Sequence, residues 1–170
     1  MSFQANALVT VNPIEHIAVQ AELPFSVVVQ RLEDETGLFD LADVQRRIAA
    51  GETPQSVIGA IAAMAGASGF MRFLTADHGA ILRLHGHPAD AVRFLIGHPL
   101  IAVRMTTRAI GSALYAPLSL LIVSDGYRTG LEYDRPSALF AQFHDADIGE
   151  VARELDGKFE ALIQSITRLQ

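Results

Sequence analysis

The segment that most constrains the fold is the last one. From Ile148, apolar residues recur at Val151, Leu155, Leu162, Ile166 and Leu169, and this spacing predicts one apolar face along a helix over 147–168, about five turns long. Asp147 with Glu150 three residues later resembles a capping box at its start. A long helix that is apolar on one side needs a flat apolar surface beneath it. The chain upstream offers strands for that surface, so the expectation is an α+β fold of two layers.

The strands are read from alternation and from turn signals. Ile14 to Leu23 holds a short strand closed by Pro24. Phe25, Val28, Val29 and Leu32 then follow helical spacing, with Gly37 read as the stop. Residues 38–68 read as a helical insertion: Asp40 caps a helix carrying Leu41, Val44 and Ile48 that ends at Gly51, and Thr53-Pro54 opens a second carrying Val57, Ile58, Ile61 and Met64. From Gly69 the period turns towards two. Residues 69–74 and 80–84 read as strands around a turn at Asp77-His78-Gly79, and Val92 to Ile96 reads as another that stops at His98-Pro99. Leu100, Val103, Thr107, Ile110 and Leu114 are spaced for a helix that starts at Pro99. Leu118 to Val123 is almost continuously apolar, as a central buried strand would be, and Ser124-Asp125-Gly126 turns it into a returning strand over 127–133. The expected architecture is a single domain, 1–170, with an antiparallel sheet of about four to five strands and helices on one face.

Composition narrows the chemistry. There is no cysteine among 170 residues, which removes disulfides, thiolate-bound metals and thiol nucleophiles together. The net charge of −6 argues against a nucleic-acid surface, where clustered Lys and Arg dominate binding. No window is apolar for the ~18 residues of a membrane span, and the start of the chain has no secretory pattern, so a cytoplasmic location without membrane contact is expected. The charge is unevenly spread. Residues 71–136 carry 7 basic and 5 acidic side chains, against 3 and 8 before them and 3 and 6 after.

That middle segment also holds His78, His85, His87 and His98, four of the six histidines. No nucleotide loop, nucleophile elbow or zinc-protease motif accompanies them, and neither metal nor cofactor is expected. Asp77 and His78 form the first candidate pair, either as a hydrogen-bonded turn or as a general base with an orienting carboxylate from Asp77 or Glu132. His98 precedes a helix N-terminus, where a ligand anion beside Arg93 or Arg104 is one reading and a plain helix cap is the other. Tyr133, with Tyr115, Tyr127 and Phe94, is a candidate wall of an apolar pocket or simply core. Gly86-His87-Pro88-Ala89-Asp90-Ala91-Val92-Arg93 echoes Gly97-His98-Pro99-Leu100-Ile101-Ala102-Val103-Arg104, yet the first must run into a strand and the second into a helix.

Four motifs in this middle segment carry a resemblance. Phe73-Leu74-Thr75-Ala76-Asp77-His78-Gly79-Ala80, Phe94-Leu95-Ile96-Gly97-His98-Pro99, Ala116-Pro117-Leu118-Ser119-Leu120-Leu121-Ile122-Val123-Ser124-Asp125-Gly126 and Tyr133-Asp134-Arg135-Pro136 resemble the signatures of the domain of unknown function family numbered 302. With the strand and helix before residue 37, the resemblance spans residues 14–37 and 69–143. His98 stands where that family usually has Asn, and Ser119 where it has a basic residue. The resemblance implies an α+β fold, an antiparallel sheet with helices on one side and a homodimer; it implies no reaction. The reading that follows is a self-associating module that is structural or holds a small apolar or anionic ligand between sheet and helix. Its rival is a cofactor-free enzyme with His78 or His98 as acid/base and Arg93 or Arg104 fixing an anionic substrate.

Overall fold

The computed structural model describes residues 9–169. In chain order its elements are β1 (His16–Ala21), α1 (Phe25–Glu35), β2 (Gly37–Leu38), α2 (Leu41–Ala49), α3 (Pro54–Ala63), β3 (Met71–Asp77), α4 (His78–Leu84), β4 (Asp90–Gly97), α5 (Pro99–Thr106), β5 (Leu118–Ser124), β6 (Thr129–Asp134), α6 (Pro136–Phe140) and α7 (Ala146–Thr167), with 3-10 turns at Ile110–Tyr115 and Ala141–Phe143. The fold is α+β.

One six-stranded sheet runs in the order β1-β6-β5-β4-β3-β2. Neighbours are antiparallel except at the far edge, where β2 pairs parallel to β3 through Gly37↔Met71 and Leu38↔Arg72. The sheet is therefore mixed and has more strands than the four to five antiparallel ones expected. A two-residue edge strand has no room for an alternation signal, and a parallel partner requires a crossover, which α2 and α3 provide.

β5 is central, as its apolarity predicts. Its register with β4 (Phe94↔Leu120, Ile96↔Leu118) and β6 (Ile122↔Leu131) lines up one face of buried side chains. α7 lies across that face with Ile148, Val151, Leu155, Phe159, Leu162 and Ile166 buried against it, and α1 adds Val28 and Leu32 beside α7. Each fully buried aliphatic side chain contributes roughly 1.5–3 kcal/mol of transfer free energy, so this two-layer contact is the dominant apolar term. The other sheet face carries His16, Glu132, Asp134, Ser119, Leu121, Arg93 and Leu95, in register with one another across β1, β6, β5 and β4.

Several local expectations need correction. Residues 80–84 are helical: Asp77 accepts the Ala80 N–H at 2.9 Å and so caps α4 instead of joining a hairpin. Gly79 suggests a turn in the sequence, but its role is clearance, because a Cβ there would sit 2.8 Å from the Ala91 nitrogen of β4. α4 accordingly flanks the face opposite α7, so the helices are not confined to one side. The cap of α7 is Asp145, which accepts from the Asp147 and Ile148 N–H groups; it lies two residues before the expected cap Asp147, the helix starts at Ala146, and position N3 is Ile148, which cannot complete a box. Leu169 lies beyond the helix and is exposed.

Gly37 does not stop α1 in a left-handed turn. It opens β2, and Thr36 closes the helix with its hydroxyl on the Leu32 carbonyl. On α5 the expected stripe fails: Val103 is exposed, and Ile110 and Leu114 are 80% and 84% exposed, whereas Met105 is the buried contact with Ile101 packed beside the core. α5 ends at Thr106, and Ile110 and Leu114 fall in the separate 3-10 turn, so the α-helical spacing does not carry through to them. α2 and α3 form where expected, capped by Asp40 on the Asp43 N–H and Thr53 on the Ser56 N–H, but only Val44 and Val57 of their apolar faces are buried. The Gly-His-Pro echo does lead into a strand once, at β4, and into a helix once, at α5.

Candidate functional site

At the end of the sheet where β4 stops and β5 starts, α5 turns away and leaves a cavity of about 210 Å³. Gly97, Pro99, Ile101, Ala102 and Met105 line it from one side, Ala116, Pro117 and Leu118 from another, Phe140 and Leu155 from below, and Phe39 and Phe73 close it. The two phenylalanine rings lie 4.6 Å apart, one from the link between β2 and α2 and one from the irregular register of β3. The segment 38–68 thus contributes Phe39 to the cavity wall.

His98 supplies the polar side chain of this lining, as the N-cap of α5. Its Nδ1 accepts the Leu100 N–H at 3.2 Å, so in the neutral ring the proton sits on Nε2. Burial pushes the imidazole below its ordinary value, and the Lys158 ammonium adds to the effect. Lys158, which no motif marks, reaches back from α7 to place its Nζ 5.5 Å from the centre of the buried Phe70 ring, beside Gly69.

This arrangement has a pH signature. The folded pKa of His98 lies below the ordinary 6.5, so in that interval the unfolded chain binds more protons; the contribution to stability is intact above pH 6.5 and is lost as pH falls below it. His98→Asn keeps a capping acceptor that does not titrate. It should change stability at neutral pH by less than about 1 kcal/mol and flatten the loss of stability that sets in as pH falls below 6.5, measured as urea midpoints. An unchanged slope in the variant would assign the acid limb elsewhere. His16 works with the opposite sign: Asp134 at 3.0 Å and Glu132 at 3.3 Å raise its pKa, and that exposed contribution fades as pH rises through the raised value.

The other candidates are dispersed. Asp77 is the α4 cap, with Arg83 at 3.5 Å. His78 is exposed on α4 and lines a groove on the opposite sheet face together with Arg93. Asp77 pairs with Val92 and His98 follows Gly97, so His78 and His98 are about six residues apart along β4, roughly 20 Å. Arg93 donates to the Ser119 hydroxyl at 2.8 Å, and Arg104 is held by both Glu154 oxygens at 2.6 and 2.9 Å. Neither arginine is among the residues lining the His98 cavity. Tyr133 is core, its ring 5.1 Å from Phe159 and its phenol pushed up by burial; Phe94 is buried too, and Tyr127 is almost fully exposed at the β5–β6 turn. His85 and His87 sit in the turn after α4. Among the described residues, no three His, Asp or Glu side chains converge as a metal site. Among them also, no helix is long and apolar enough to cross a membrane.

No curated protein matches this chain in sequence. A solved structure, the crystal structure of an uncharacterized conserved DUF302 protein from Bacillus stearothermophilus, is similar in fold: its TM-score is 0.63, its sequence identity 15%, and the match covers 90% of this chain and 98% of that one. Residues 44–166 match the family described as Domain of unknown function DUF302, a range that takes in most of the 38–68 segment, the cavity's α5 and β5 walls and nearly all of α7. With well over half of its length in that match, the chain belongs to the DUF302 family.

Proposed function

We propose that this domain binds a small, predominantly apolar molecule in the cavity beside His98. The observation that carries the reading is the lining: His98 is the single polar side chain among thirteen residues, and its ring is biased towards the neutral form. A dry apolar cavity of ~150 Å³ is enough to hold a benzene ring, so about 210 Å³ suits one aromatic ring or a short branched chain. The Nε2–H of His98 can donate one hydrogen bond to such a guest. Such pockets use apolar walls for affinity and one or two polar atoms for orientation. A fully charged anion fits poorly here, because Arg104 is already paired with Glu154 and Arg93 lies on the other sheet face.

Indole serves as the probe. Titration followed by calorimetry should give one site per chain with Kd on the order of 10⁻⁴ M, near −5.5 kcal/mol. Ala102→Phe fills the cavity from α5 and should abolish the binding while the variant melts at or above the wild-type temperature. Indole that binds the Ala102→Phe variant as well as wild type, or fails to bind wild type, removes the proposal.

A further inference from the structure

The sheet face away from α7 holds a second feature that the cavity does not use. An open groove of about 710 Å³ runs over Leu121, with α4 rising along one side through Ile81 and Leu82. Its flanks are oppositely charged. Glu132 and Asp134 stand on β6, bridged by His16, and Arg93 stands on β4. Register places Glu132 opposite Leu121 and Leu121 opposite Arg93, so the two charges are two strands apart, roughly 10 Å between backbones. Arg93 makes no ion pair among the described residues; it donates from Nε and Nη2 to the Ser119 hydroxyl, and its remaining N–H groups stay available. His16 bears at most one positive charge against two carboxylates, so the β6 flank keeps net negative charge.

We infer that this groove binds an amphoteric ligand, with an ammonium on the Glu132/Asp134 flank, a carboxylate on Arg93 and a short apolar spacer over Leu121. A ligand with one charge satisfies one flank and leaves the other opposite an apolar body. A second copy of the chain fits the face less well. Self-association through a two-fold axis would set groove against groove, and two concave surfaces flanked by α4 do not fill each other.

The test uses the whole chain and 6-aminohexanoate, with hexanoate and hexylamine as singly charged controls. Calorimetry or NMR titration should show 6-aminohexanoate binding about tenfold tighter than either control. Arg93→Gln should reduce it to the hexylamine level and Glu132→Gln to the hexanoate level, whereas Arg93→Lys keeps most of the preference. Both positions are solvent-accessible, and matching urea midpoints would show that the variants fold; indole binding at the His98 cavity should be unchanged in each. Equal binding of the three probes overturns the inference, and so does an Arg93→Gln protein that binds as wild type. Sedimentation showing a dimer that Arg93→Glu dissociates overturns it as well, since a second copy would then own the face.

Discussion

Gly37→Ala should cost about 3 kcal/mol or more, lowering the melting temperature by roughly 6–12 °C. The reason is a crossing of two backbones. A Cβ on Gly37 would overlap the Met64 carbonyl oxygen, and one on Gly66 would overlap the Glu35 carbonyl oxygen. Both glycine N–H groups donate to the same acceptor, the Phe70 carbonyl, at 3.0 Å. The atoms in the way are main chain held by these bonds and by β2–β3 pairing, so they cannot swing aside as a flexible side chain would. Gly66→Ala should behave alike. Gly59 is the control: it lies inside α3 with nothing within 4 Å of the place a methyl group would take, and Gly59→Ala should stabilise the protein by about 0.5–1 kcal/mol. Calorimetric melting of the three variants checks the ordering, and a Gly37→Ala protein that melts within about a degree of wild type would contradict the crossing.

Phe159→Ala should lose about 3–5 kcal/mol, measured from urea unfolding at constant m. Phe159 is fully buried near the middle of α7 and meets Phe70 edge-on at 5.4 Å and Tyr133 at 5.1 Å. Removing it opens a void between α7, β6 and the start of β3, and the surrounding rings are held by strands that relax little. Phe159→Leu, which keeps much of the volume, should lose less than half as much. If the two variants were equally stable, the aromatic triad would not be the anchor of α7.

The elements legible in the chain are those with a long repeat. α7 and α1 announce themselves through i, i+3, i+4 spacing, and β5 through continuous apolarity with a Ser124-Asp125-Gly126 turn that the structure closes with Asp125 accepting the Tyr127 and Arg128 N–H groups. Caps at Asp40 and Thr53 are readable because the acceptor lies next to the helix it serves. What the sequence hides is short or depends on distant partners. α4 has seven residues, too few for a period to outweigh its Gly79, and Gly37 and Gly79 are glycine because other segments approach them. On α5 the exposed Val103 and the later Ile110 and Leu114 imitate a stripe that burial does not follow.

The candidate site is legible in one residue. His98 stands out by its place before Pro99 at a helix start, and it does line the cavity as the α5 cap. Phe39, Phe73 and Leu155 come to the same cavity from three parts of the chain, and nothing local marks them. His16 gives no signal in sequence because Glu132 and Asp134, its partners, are more than a hundred positions away.

That same separation governs how the molecule can be made. β1 is synthesised early, yet its neighbour in the sheet is β6, through pairs such as His16↔Asp134 and Ala21↔Thr129. A nascent chain that has reached β5 therefore has a finished β3–β4–β5 meander with an open edge on β5, while β1 waits unpaired and α7 is still unmade. Closing that long loop is entropically slow, and an open central edge is where strands of other chains pair. The last third of the chain thus acts as the molecule's own chaperone: β6 fills the vulnerable edge and gives the waiting β1 its partner, and α7 covers the apolar face of the sheet.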